Sequence, residues 1–97
     1  MIRYLSLIQV TDKGARNVDK LVQRASGFGM SVRDAGGKLV LQVGAVRQYD
    51  GCLVFEVPDE AVGSALLVKL AKNGNVRTPT MRCYDNQEFE TVLKVAS

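Results

Sequence analysis

Arg47-Gln48-Tyr49-Asp50-Gly51-Cys52-Leu53-Val54-Phe55-Glu56-Val57-Pro58-Asp59 is a polar turn, then the most apolar strand of the chain, then a helix cap. Leu53, Phe55 and Val57 share one face of that strand, and Cys52, Val54 and Glu56 share the other. The strand is read from about Tyr49 to Val57, inside the sheet. Tyr49 and Asp50 stand at its mouth, where a polar pair can face a ligand. Pro58-Asp59-Glu60 opens a helix, with Asp59 accepting from its unpaired first amides.

Working outward, Lys38 to Val46 reads as a strand joined to the first by a short polar connection, hence a hairpin. Leu39, Leu41, Val43 and Ala45 form one face of it, with Lys38, Val40 and Gln42 opposite. Ile2 to Val10 is apolar on both sides and belongs in the middle of a sheet. Thr11 or Asp12 caps a short helical turn after it. Leu21, Ala25, Phe28, Val32 and Ala35 recur at helical spacing, with Asp19 as the expected cap and Gly36-Gly37 as the stop. Downstream, Ala61, Val62, Ala65, Leu66, Leu67, Val68 and Leu70 face one way on a helix ended by Asn73-Gly74. Asn75 to Tyr84 is a fourth strand, placed at an edge by Pro79, which has no amide to donate. Asp85 and Glu88 form a capping box before a last helix carrying Phe89, Val92, Leu93 and Ala96.

This order, βαββαβ plus a C-terminal helix, defines an α+β chain. With right-handed crossovers it gives a ferredoxin-like sandwich whose antiparallel four-stranded sheet runs 4132. The first strand then separates Cys52 from Cys83 by roughly 9.5 Å, too far for a disulfide. Helices cover one face of such a sheet, yet Leu7, Val40 and Val54 make the second face apolar too. A second copy of the chain is the economical cover. Two sheets meeting in this way form a homodimer, a dimeric α/β barrel, or a higher homo-oligomer built from it.

The 97 residues read as one domain, 1–97. The net charge of +3 is dispersed, and Lys13, Arg16, Lys20, Arg24, Arg33 and Lys38 alternate with Asp rather than forming a stripe for nucleic acid. The absence of histidine removes the commonest general base and zinc ligand, so neither a metal nor a cofactor is expected. The start has no signal-peptide pattern and no window is apolar for a bilayer's span, which points to a cytoplasmic chain with reduced thiols and no membrane.

Thr11-Asp12-x-Gly14-x-Arg16-Asn17, Gly36-Gly37-Lys38, Tyr49-Asp50, Glu56-Val57-Pro58-Asp59 and Gly74-Asn75-Val76-Arg77-Thr78-x-Thr80-Met81-Arg82 together resemble the GYD domain family over nearly the full length. Gln48 stands where the family name has its glycine. The resemblance implies a dimeric α/β barrel, an assembly that often holds small aromatic or oxygenated ligands between sheet and helices.

Topology brings Asp12, Arg16, Asn17, Tyr49 and Asp50 to one end of the sheet, together with Asn75 and Arg77. Glu56, a carboxylate on an inner strand, needs a partner, for which Arg77 or Arg82 is available; unpartnered, it would act as a general base. Three readings are open. The first is a cofactor-independent enzyme, a lyase or isomerase moving a proton on a small, aromatic or oxygenated organic substrate. Asp50 or Glu56 would be its base and Tyr49 its oxyanion donor. Asp12, Arg16, Asn17, Arg77, Thr78, Thr80 and Arg82 would bind its substrate. The second is a non-catalytic small-ligand-binding or regulatory module. The third is a structural subunit without a pocket.

Overall fold

The computed structural model describes residues 1–97. β1 (Ile2–Val10) is followed by a short helix α1 (Asp12–Ala15), a 3-10 turn over Val18–Lys20, and α2 (Leu21–Asp34). Then come β2 (Lys38–Gly44), β3 (Gly51–Val57), α3 (Glu60–Lys72), β4 (Val76–Arg77), β5 (Thr80–Cys83) and α4 (Asn86–Ala96). Every strand pairing is antiparallel: β2 with β3, β3 with β1, and β1 with both β4 and β5 on its far side.

β4 and β5 are the two halves of the expected fourth strand. Pro79 lies between them and interrupts the donors, while its own carbonyl accepts from the Leu7 amide at 2.9 Å. The sequence therefore places the proline correctly, at the edge, and misses the break.

β3 is the clearest expression of its sequence. Gly51, Leu53, Phe55 and Val57 are buried in strict alternation, and the residues between them are half-buried. With Ile8, Phe28 and Val32 they make the core, against which Tyr4, Leu39, Val62, Leu66 and Leu70 pack. The Phe28 ring meets Phe55 edge-on at 5.3 Å and Tyr4 tilts over it at 5.8 Å, the offset geometries aromatic quadrupoles prefer. Helices α2 and α3 cover this side of the sheet.

Three caps fall where expected. Thr11 accepts from the Gly14 amide, Asp59 from Val62, and Asp85 shares a full capping box with Glu88. Asp19 is not a cap. The 3-10 turn draws it in, and α2 starts from Lys20 with no side-chain cap. At the other end of α2, Gly36 takes φ +84°, and the Gly37 amide returns to the Val32 carbonyl at 2.9 Å.

The largest departure is in β2. Leu39 pairs with Phe55 and Leu41 with Val54, so two steps of β2 span one step of β3 and Val40 is a β-bulge. Leu39 faces the helices with Phe55, but Leu41 and Val43 share the opposite face with Val54 and Cys52. The expected single face of Leu39, Leu41 and Val43 is thus divided. Gln42 pairs with Leu53 and turns inward, where its amide nitrogen donates to the Ala25 carbonyl of α2 at 2.8 Å.

The side of the sheet away from α2 and α3 carries Leu5, Leu7, Leu41, Val43, Cys52, Val54 and Met81. Leu41, Val43 and Met81 are each about half exposed, so this face is apolar and open. Helix α4 reaches out beside it. Its Glu88 meets Arg3 at 3.5 Å and its Phe89 ring lies 6.3 Å from Tyr84, but Phe89, Val92 and Leu93 remain exposed along one side. The radius of gyration, 14.3 Å, exceeds the roughly 12.5 Å of a globule of this length, and the longest extent is 48 Å.

Candidate functional site

A cleft of about 820 Å³ lies between α2, α3 and the helix side of β2 and β3. Its floor is apolar: Ile8, Phe28, Leu53, Leu66, Leu70 and Val76. Its charged lining is mostly cationic. Lys13, Arg24, Lys69 and Lys72 supply four cations, and Asp50 is the one carboxylate. Gln42 and Asn75 add amides. This is the usual make-up of a small-molecule site, a hydrophobic hollow with a few placed polar groups.

The β2–β3 connection delivers Asp50. The Asp50 amide donates to the Ile8 carbonyl at 2.8 Å and its carbonyl accepts from Ala45 at 3.0 Å. Its carboxylate oxygen Oδ2 accepts from the Val10 amide at 2.8 Å. Asp50 thus ties the start of β3 to the end of β1 while bordering the cleft. The same loop holds Arg47 at φ 100°, a region where only glycine is relaxed. Arg47→Gly is expected to raise stability by about 0.5–1 kcal/mol, read as a shift in the urea midpoint.

The other end of the cleft is set by α1. Thr11 donates its hydroxyl to the Gly74 carbonyl at 2.6 Å and its amide to the Asn75 carbonyl at 3.0 Å. Lys13 Nζ donates to the Asn73 carbonyl at 2.9 Å. Asn75 is only 9% exposed, and its side-chain Oδ1 is buried with no hydrogen-bond partner. Among the lining cations, Arg24 donates to the Asn17 carbonyl at 3.4 Å, and none of the four forms an ion pair.

The candidate residues read from the sequence do not gather in one place. Asp50 borders the cleft. Asp12 and Arg77 share a smaller polar hollow with Gln9, Thr11 and Lys13 just outside it. Tyr49 is half-buried on the loop before β3, and Arg16 is exposed at the end of α1; neither lines a hollow. Asn17 donates its side-chain amide to the Lys13 carbonyl. Thr80 bonds Ser6 Oγ and the Thr78 carbonyl, each at 2.7 Å, within the β1–β5 pairing. Arg82 donates to the Arg3 carbonyl and stacks 4.4 Å over the Tyr84 ring.

Glu56 lies on the open face, opposite the cleft. Its partner is neither Arg77 nor Arg82 but Arg3, its cross-strand neighbour, at 2.8 Å. Arg82 is excluded because it pairs with Tyr4 and so belongs to the other face of the sheet. Near this pair, Cys83 has its thiol pushed above the ordinary value by burial, against the pull of Arg3 and Arg82. It stays protonated and weakly nucleophilic at neutral pH. Cys52 and Cys83 are both free, with β1 between their strands.

Lys13, Arg24, Gln42, Lys69, Lys72 and Asn75 are cleft residues that the sequence does not mark as site groups. The helical cations look like solvated charges, and the bulge that turns Gln42 inward has no local signal. For Asn75, topology gives the correct end of the sheet but no role.

The arrangement defines an α/β chain with an antiparallel sheet, helices on one side, an apolar open face on the other, and a cationic cleft. Over residues 4–93 it matches the family described as GYD domain, and the chain belongs to that family. It is also similar to a Thermus thermophilus protein named glutamine synthetase and cystathionine beta-lyase binding protein, with 28% identity covering 97% of this chain and 100% of that one. No helix is long and apolar enough to cross a membrane.

Proposed function

We propose that the chain is a non-catalytic binding module: a single ferredoxin-like domain that pairs through its open face into a cytoplasmic homodimer, a dimeric α/β barrel, and holds a small ligand in the helix-side cleft. The observation that carries this reading is the division of the three catalytic candidates. Asp50 borders the cleft with one oxygen engaged by the Val10 amide, whereas Glu56 sits behind the sheet, paired with Arg3. A lyase or isomerase needs an acid and a base within reach of one substrate, and this separation weighs against that role. The Thermus relative is named for binding two enzymes, which supports a regulatory role in which this module also docks on a protein partner.

The open face supports the homodimer. Leu7, Leu41, Val54 and Met81 form a continuous apolar surface beside the exposed stripe of Phe89, Val92 and Leu93 on α4. A chain that carries both surfaces supplies both halves of a self-complementary contact. In sedimentation at micromolar concentration, the wild type is expected at twice 10.6 kDa and Val54→Glu at 10.6 kDa. A wild-type monomer would contradict the dimer.

A further inference from the structure

We propose that the cleft selects a small carboxylate with an apolar body. The inference rests on the ligand-binding reading above and adds the chemistry of the ligand.

Two independent observations support it. The first is charge. Lys13, Arg24, Lys69 and Lys72 line the cleft against the single carboxylate of Asp50, and no ion pair neutralises any of the four. Clefts lined by one sign of charge over low-dielectric walls concentrate ligands of the other sign. A carboxylate takes charge-assisted bonds from such groups, about twice as strong as neutral ones.

The second is the floor between those charges. Ile8, Phe28, Leu53, Leu66 and Leu70 are apolar, so the anion is carried on an apolar body. A volume of about 820 Å³ holds an aromatic ring with a short side chain easily.

Two probes of the same size separate charge from body: 4-hydroxyphenylacetate carries the anion, and tyrosol replaces it with a neutral hydroxymethyl group. Calorimetric titration of the full chain is expected to rank 4-hydroxyphenylacetate tighter, with tyrosol weaker by about fivefold or more. Lys69 and Lys72 are both exposed on α3, so the double variant Lys69→Gln, Lys72→Gln is expected to fold. It should weaken 4-hydroxyphenylacetate about fivefold and leave tyrosol unchanged. Equal affinity for tyrosol and 4-hydroxyphenylacetate, or an unchanged affinity in the double variant, overturns the anion selectivity while leaving the cleft a ligand site. Failure of 4-hydroxyphenylacetate to bind overturns this inference; the ligand-binding reading falls only if a thermal-shift screen of neutral and anionic small molecules also finds none.

Discussion

Phe55→Ala is expected to cost about 3–5 kcal/mol of folding stability, measured by urea denaturation. Phe55 is fully buried at the centre of β3, under the Phe28 edge and the Tyr4 ring. Truncation removes the apolar area of the ring and leaves a hole between the sheet and its helices, bordered by Phe28 and Tyr4, which close-packed neighbours fill only in part. A domain of this length has roughly 5–15 kcal/mol in all, so this one ring accounts for a large share of it. Phe55→Leu keeps most of the volume and is expected to cost about half as much. A loss below about 1 kcal/mol for the alanine variant would mean that the core is not centred on this residue.

The second large effect is expected from the smallest change. Gly14→Ala would drive a Cβ into the Asn75 carbonyl oxygen and place it 2.8 Å from Val10 Cγ1. Two effects oppose each other. Alanine favours the helix over glycine by about 1 kcal/mol. The clash is with a backbone oxygen, which has no side-chain torsion to relieve it. α1 would have to lift from β4, giving up the Thr11 amide's bond to Asn75 and the Thr11 hydroxyl's bond to Gly74. Overpacking costs about 1–3 kcal/mol and each lost hydrogen bond about 1 more, so the clash wins and a net loss of roughly 2–4 kcal/mol is expected. Because Lys13 moves with α1, 4-hydroxyphenylacetate affinity should fall as well. Urea denaturation and calorimetry on the same variant check both; a stabilised Gly14→Ala would show that α1 is free of β4.

Much of this architecture is written in short-range patterns. The alternation of Leu53, Phe55 and Val57 declares the inner strand, and Thr11, Asp59 and Asp85 declare three helix starts through their side-chain oxygens. Pro79 declares an edge. The bulge at Val40 has no such mark, because Leu39, Leu41 and Val43 alternate with Lys38 and Gln42 just as an unbroken strand would. The partner of Glu56 is likewise invisible locally. Arg3 becomes its neighbour only once β1 and β3 are aligned, 53 residues apart in sequence. For the site, Asp50 is legible because a carboxylate at the mouth of an apolar strand stands out. Lys69 and Lys72 are not, since a lysine on a helix flank looks the same whether it borders solvent or a cleft.

The bulge at Val40 has one further consequence. By inserting one residue, it points Gln42 into the cleft and sends Leu41 and Val43 to the open face. Without the insertion, the parity of β2 would reverse beyond Leu39. The lining of one surface and the apolarity of the other therefore share a single determinant. Along β2, the two surfaces can be inherited or lost only as a pair, and a gap of one codon there separates this architecture from its inverse.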